Sequence, residues 1–213
     1  MMQGEERGGA LTRDVRALIR VSAAIGARWP ETRLKPLLVE AQSAAAPLAV
    51  EEALLQSYLF VGYPGALRAL AVWREVGAPV EAGSESPPEE WPVRGERVCR
   101  RVYGEAYDRL RENVAALHPG LDEWMVTEGY GKVLGRSGLP LEVRELCVAA
   151  MLAAQGAAAQ LYSHLRGALR VGAQPEQVEA MLVEAGEILG PEERAGSLAV
   201  WASVRTRSEK PEA

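Results

Sequence analysis

The sequence predicts an all-α protein, and three observations carry that prediction. Apolar residues recur at three- and four-residue spacing in both halves of the chain, as in Val15, Leu18 and Ile19 and again in Val143 and Leu146. Alanine occurs in clusters, while aromatic residues make up only 6% of the chain. Small side chains favour closely packed helices, whereas a β-sandwich needs Val, Ile, Thr and aromatic residues. No alternation of apolar and polar residues is long enough to predict a strand.

Prolines indicate where several of these helices begin. Pro47 and Pro175 each precede an acidic and apolar run, and Pro191 directly follows Gly190. Because the first turn of a helix tolerates proline, each of the three is predicted to start a helix. The helical pattern then gives way to a stretch rich in Gly, Pro, Ser and Glu, so residues 79–94 are predicted to be a linker.

Composition excludes several classes of protein. The 213 residues are 48% hydrophobic, which is enough to bury a core in one large or two small domains. A net charge of −5 argues against binding to nucleic-acid phosphates. The longest apolar run, residues 146–154, is far shorter than the about 20 residues of a membrane-spanning helix, and the N-terminus lacks a signal-peptide core. We therefore expect a cytoplasmic protein with no nucleic-acid and no membrane partner.

The two halves of the chain align with each other, without a gap, after a shift of 128 residues. Of the 62 pairs aligned in this way from residue 15 to residue 76, 15 are identical, and they include the string Leu-Ala-Val-Trp. Chance would give about one identity in fifteen pairs for this composition. We therefore predict two copies of one helical unit, a degenerate copy at residues 10–78 and a second copy at 95–205, joined by the linker at 79–94.

The two predicted copies differ in their polar residues. Glu145 and His164 of the second copy align with Ala17 and Pro36 of the first. Gln160 aligns with Thr32. Apolar and turn positions are shared, so both copies are expected to keep the fold. Chemistry is expected only in the second copy.

Glu145 and His164 are the candidate acid–base residues. Gln160 and His164 lie four residues apart, so they share one face of a helix. An antiparallel helix pair with a turn near residues 155–156 would bring Glu145 towards His164, since each lies about ten residues from that turn. A carboxylate and an imidazole form a usable acid–base pair. The alternative is a structural contact that joins the two helices.

Two longer segments resemble a known family. Residues 130–152 contain Y-G-K-V-L-G-R-S-G-L and V-R-E-L-C-V-A-A-M-L, and residues 160–179 contain Q-L-Y-S-H-L-R-G-A-L and G-A-Q-P-E-Q-V-E. Together they resemble the carboxymuconolactone decarboxylase family, over about residues 95–204. The resemblance implies an all-α, alkylhydroperoxidase D-like helical bundle, and with the two predicted copies the fold is expected to be a duplicated bundle of this type. It also implies a homo-oligomer, which for two-copy chains would be a trimer.

The alkylhydroperoxidase D type within this family carries a Glu, then C-x-x-C, then a His four residues after the second Cys. Glu145 and His164 match the Glu and His, but the two cysteine positions are Ala157 and Gln160. Peroxide reduction there needs a reactive thiolate and a resolving thiol. An antioxidant protein of that type is therefore the least favoured function.

The two cysteines of the chain fall outside the motif positions. Cys147 lies within an apolar helical run and is expected to be a buried, inert residue. Cys99 lies beside arginines, which leaves two interpretations open: an inert helical residue or a thiol of lowered pKa.

The resemblance instead implies the decarboxylase branch, a lyase that removes CO2 from a small carboxylated lactone without a cofactor or a metal. His164 is assigned to proton transfer and Glu145 to orienting or charging it. Arg136 and Arg144 are the candidate clamps for the substrate carboxylate, because a guanidinium binds a carboxylate bidentately.

Weaker candidates and alternatives remain at this point. Gln160 and Tyr130 are predicted to hydrogen-bond the lactone. The two arginines can equally lie on a solvated face or pair helices. The alternative function is a non-catalytic oligomeric binding protein of the same fold, which holds a small carboxylated molecule without turning it over.

Overall fold

Helices make up all the regular secondary structure of the computed structural model, which describes residues 11–77 and 86–208. The α-helices are α1 (Arg13–Gly26), α2 (Glu31–Ala44), α3 (Pro47–Gln56), α4 (Tyr58–Val76), α5 (Trp91–Tyr103), α6 (Tyr107–Leu117), α7 (Pro119–Trp124), α8 (Leu141–Ala154), α9 (Ala158–Val171), α10 (Pro175–Gly186) and α11 (Pro191–Ser208). A π-helical segment, Met125–Leu134, follows α7. No strand occurs in either described range, so the all-α prediction is confirmed there. Nor does either range contain a helix long and apolar enough to cross a bilayer.

The predicted proline starts are confirmed, because Pro47, Pro175 and Pro191 open α3, α10 and α11. The predicted linker is shorter than expected at its C-terminal end. Pro88–Glu90 forms a 3₁₀ turn and α5 begins at Trp91, since proline at the next position fits the first turn of a helix. Residues 79–85 of the predicted linker lie outside the described residues.

Helices α1 and α8 form one of the most extensive contacts of the core. A Cβ atom added at Gly26 would lie 2.5 Å from the carbonyl oxygen of Met151, so the two backbones touch at this point. Every residue of α8 from 144 to 153 is buried. Such close approach requires small side chains, and Ala149, Ala150 and Ala153 supply them.

Helices α8 and α9 form an antiparallel pair. Helix α8 ends at Ala154 and α9 begins at Ala158, which confirms the turn predicted near residues 155–156. Gly156 has a φ of 64°, a left-handed conformation that glycine adopts without strain. The beginning of α8 therefore lies beside the later turns of α9.

Helix α5 packs backbone to backbone on the π-helical segment. A Cβ at Gly95 would lie 2.0 Å from the carbonyl oxygen of Val126, and a Cβ at Gly131 would lie 2.3 Å from that of Trp91. The Nε of Arg94 donates a hydrogen bond of 2.6 Å to the Gly131 carbonyl. Because glycine permits this approach, side chains at the end of α5 lie beside those of the π-helical segment.

The two tryptophans at aligned positions make the same contact in the two halves of the chain. Trp73 donates from Nε1 to Oε1 of Glu51 over 3.1 Å, and Trp201 donates to Glu179 over 3.2 Å. Both indole rings are buried. Each indole therefore packs α4 or α11 against the core and is fixed there by its hydrogen bond.

Candidate functional site

Glu145 and His164 are in contact inside the protein. Nδ1 of His164 lies 2.8 Å from Oε2 of Glu145, which confirms that the α8–α9 pair brings them together. An ionised carboxylate only accepts hydrogen bonds, so Nδ1 is the donor in this contact when Glu145 carries its charge. The Glu145 side chain is fully buried, and His164 is 7% exposed. Within the described residues Nε2 of His164 has no hydrogen-bond partner, so this nitrogen is left for a ligand.

Gly167 makes room for the Glu145 carboxylate. It lies on α9, one turn after His164, and a Cβ there would be 2.8 Å from Oε2 of Glu145 and 2.6 Å from Val102. The other carboxylate oxygen of Glu145, Oε1, is buried without a hydrogen-bond partner among the described residues. Within residues 11–77 and 86–208, the hydrogen bond of this buried carboxylate is therefore the one to His164.

His164 lies on the wall of a cavity of about 350 Å³. The other residues of the wall are mostly apolar: Leu59, Phe60, Tyr103, Leu121, Trp124, Met125, Glu128, Gly129, Tyr130 and Leu134. The ring of Phe60 meets the imidazole edge-on, with 5.9 Å between ring centroids. Phe60 belongs to the first predicted copy, so the wall is not built from the second copy alone.

Two tyrosine hydroxyls on this wall are hydrogen-bonded to each other. The hydroxyl of Tyr130 donates to that of Tyr103 over 3.2 Å, and their rings meet edge-on. Burial, helped by the nearby charge of Glu145, raises the pKa of both hydroxyls above the ordinary value for tyrosine. Both therefore remain protonated at neutral pH and can act as hydrogen-bond donors.

One carboxylate also reaches the cavity wall. Glu128, on the π-helical segment, accepts a hydrogen bond of 2.7 Å from the hydroxyl of Tyr58. Neither Arg nor Lys is among the wall residues that the structure describes. The cavity is thus mostly apolar, and its polar side chains include an imidazole, two phenols, one carboxylate and the indole of Trp124.

Part of the chain matches a known family. Residues 119–202 match the model of the carboxymuconolactone decarboxylase family. This segment is a carboxymuconolactone decarboxylase family domain. It contains Tyr130, Glu145 and His164, whereas Phe60 and Tyr103 of the cavity wall precede it. No curated protein matches the chain.

Arg144 of the family domain does not reach the cavity, contrary to its predicted role as a carboxylate clamp. Its guanidinium is buried and donates from Nη2 to Oε2 of Glu52 over 2.6 Å, and from Nη1 to Gln56 over 3.3 Å. It also donates to the carbonyl oxygens of Arg136 and Ser137. Burial lowers its pKa, while the Glu52 contact acts in the opposite direction. The guanidinium is held by the protein's own groups.

Arg136 is placed in the same network. Its Nε donates to both carboxylate oxygens of Glu52, at 3.0 and 3.2 Å. Arg136 lines a separate surface cavity, together with Lys132 and Tyr63. The two arginines therefore tie the family domain to α3, and they do not meet His164.

Gln160 is exposed and is absent from the cavity wall that the structure describes. It shares a helix face with His164, as predicted, but it lies a full turn nearer the N-terminus of α9. Of the four residues predicted to bind substrate, only Tyr130 lines the cavity with His164.

Both cysteines are buried thiols. Burial raises the pKa of Cys99 to about 12 and that of Cys147 to about 11. Thiols with such values are protonated at neutral pH and are poor nucleophiles. The structure thus favours the inert interpretation of Cys99, and neither cysteine lines the cavity.

The wall residues that the sequence did not predict include Tyr103, Glu128 and Phe60. Tyr103 ends α5 and belongs to no motif with Glu145, so spacing carries no signal for it. Phe60 aligns with Ile188, and its apolar character indicated only core packing.

Replacing Arg144 with Met should destabilise the protein. The substitution removes the buried guanidinium of Arg144 from Glu52 and leaves Arg136 as the remaining partner, so the free energy of unfolding should fall by roughly 1.5–3 kcal/mol, the range for a lost hydrogen bond to a charged group. Urea denaturation measures this loss.

Arg74→Met is the matched control, because Arg74 pairs with Glu51 and its side chain is 56% exposed. A loss below about 1 kcal/mol is expected there. If Arg144→Met instead left the stability unchanged and abolished ligand binding, Arg144 would belong to the cavity after all.

Proposed function

We propose that the protein is a carboxy-lyase that removes CO2 from a small carboxylated lactone, with His164 as the proton-transfer residue and Glu145 as its partner. The observation that carries the proposal is the buried Glu145–His164 contact at the wall of a mostly apolar cavity. The family domain at residues 119–202, which contains both residues, supports the decarboxylase class.

The reaction requires one proton transfer. The carbon–carbon bond to the substrate carboxylate breaks, CO2 leaves, and the bonding electron pair passes into the ring as a conjugated enolate. His164 then delivers a proton from Nε2 to carbon and regains it from solvent. Glu145 accepts the hydrogen on Nδ1, so it fixes the orientation of the ring and stabilises the positive charge that the imidazole carries before transfer.

The cavity also supports loss of a charged carboxylate. No guanidinium or ammonium group is among its described wall residues, and Glu128 places a negative charge there. Apart from the imidazolium of His164, whose charge Glu145 offsets, these surroundings stabilise a carboxylate poorly, whereas an enolate spreads its charge over several atoms. The ground state is therefore destabilised relative to the transition state.

His164→Gln should lower the turnover of a carboxymuconolactone substrate by roughly 10²- to 10⁴-fold, because glutamine cannot transfer the proton. Release of CO2 and the change in lactone absorbance measure turnover. His118→Gln is the matched control, since His118 caps α7 and is not a wall residue. Equal turnover by the wild type and His164→Gln would sink the assignment.

A second candidate, a binding protein of the same fold, is favoured by one observation: the predicted carboxylate clamps Arg136 and Arg144 are paired with Glu52. It predicts that a small carboxylated molecule binds near His164 and is recovered unchanged. The same turnover assay separates it from the lyase.

We also propose that the chain arose by duplication of one helical unit. The bounds of α1 and α8 differ by the predicted shift of 128 residues at both ends. The equivalent Trp73–Glu51 and Trp201–Glu179 hydrogen bonds support the same relation.

A reciprocal pair of contacts supports the duplication further. Arg144 reaches Gln56, and its equivalent Arg16 lies 3.7 Å from Glu184, the residue aligned with Gln56. Each copy thus contacts the other through the same pair of positions, as a two-fold axis beside the α1–α8 contact requires. An experimental structure in which no rotation near 180° superposes α1–α4 on α8–α11 would contradict the proposal.

We further propose that these chains assemble as trimers. Tyr63 and Leu67 of α4 are more than half exposed and line an apolar surface cavity of about 260 Å³, which is suited to burial against another chain. Sedimentation equilibrium should give three chains of 23.0 kDa each, and Leu67→Glu should lower that mass. A monomer at micromolar concentration would remove the proposal.

A further inference from the structure

The hydroxyls of Tyr103 and Tyr130 hold one hydrogen more than their mutual contact uses. Two hydroxyls carry two hydrogens, and the single bond of 3.2 Å between them uses one, donated by Tyr130. The remaining hydrogen, on Tyr103, has no acceptor among the described residues. Tyr103 is 8% exposed and Tyr130 is 3% exposed, so bulk water does not surround the pair.

A buried hydrogen-bond donor without an acceptor lowers the stability of the folded protein. The surroundings of the Tyr103 hydroxyl therefore indicate where an acceptor would bind. Leaving such a group unsatisfied costs about 1–3 kcal/mol, and most buried polar groups in folded proteins are paired. Both tyrosines lie on the wall of the cavity that His164 also lines. A molecule in that cavity can therefore supply the missing acceptor.

We propose that the hydroxyl of Tyr103 is a catalytic hydrogen-bond donor to the carbonyl oxygen of the bound lactone, and that Tyr130 positions it. The proposal rests on the proposed function for the reaction but assigns a group that the family domain at 119–202 does not contain. When CO2 leaves, the electron pair moves onto this carbonyl oxygen. The Tyr103 hydrogen bond then strengthens, because its acceptor becomes an enolate oxygen.

The pair is suited to donation and not to proton abstraction. Burial and the charge of Glu145 hold both hydroxyls in the protonated form. By donating to the oxygen of Tyr103, Tyr130 polarises that hydroxyl and improves it as a donor. The ligand class that follows is a small unsaturated lactone, or a similar apolar molecule with one exposed carbonyl oxygen.

Tyr103→Phe removes the donor while keeping the ring, and two readouts test it in the full chain. With the carboxymuconolactone substrate, kcat should fall by roughly 10²- to 10³-fold, the range for losing one oxyanion donor. With the unsubstituted butenolide, which has the carbonyl but no carboxylate to lose, Kd should rise by about tenfold. Dihydrofuran, which lacks the carbonyl, should bind the two proteins equally.

The infrared carbonyl stretch of the bound butenolide reports the hydrogen bond itself. It should shift to higher frequency in Tyr103→Phe and, to a smaller extent, in Tyr130→Phe, since Tyr130 acts through Tyr103. Tyr107→Phe is the matched control, because that buried hydroxyl accepts from Arg111 and is not a wall residue. It should leave Kd and the carbonyl stretch unchanged.

An unchanged Kd and carbonyl stretch in Tyr103→Phe would overturn the proposal, as would a wild-type protein that binds no butenolide. Failure of the proposed function has a different signature. In that case the wild type binds butenolide through Tyr103 but does not release CO2 from the carboxylated substrate.

Discussion

The close contact of α1 with α8 is the constraint on which the other features depend. With Gly26 against the backbone of Met151, the two helices leave no room for a side chain where they cross. This explains the abundance of alanine in α8 and buries that helix along most of its length. A carboxylate on such a helix must find a partner within the protein. The partner of Glu145 is His164, and this contact holds the imidazole at the wall of the cavity.

Three separate packing contacts complete the site around this buried pair. The tight turn at Gly156 sets α9 against α8, and Gly167 leaves space for the carboxylate. The backbone contact at Gly95 places the end of α5 beside the π-helical segment. Glycine is thus used in three different ways, and each use positions a polar group on the wall of the cavity or directly behind it.

The sequence predicted those parts of the site that depend on local geometry. The Glu145–His164 contact follows from two helices of known period and one turn, so spacing was sufficient. The roles of Arg136 and Arg144 depend on Glu52, which lies 92 residues from Arg144 in the sequence and has no motif to link it. The residue type predicts that a guanidinium binds a carboxylate, but only the packing of the helices decides which carboxylate lies beside it. Tyr103 was missed for the same reason, since its position is set by the glycine contacts of α5.

Phe60 gives the fused chain a freedom that separate subunits lack. In a symmetric dimer of identical chains, any substitution occurs twice, so one that improves a site also alters the equivalent position that packs elsewhere. In this chain the positions of Phe60 and Ile188 are encoded separately, and only Phe60 touches the imidazole. Under the proposed duplication, substitutions in the first copy, which has no acid–base pair, can change the specificity of the cavity. The second copy, which carries Glu145 and His164, can then stay unaltered.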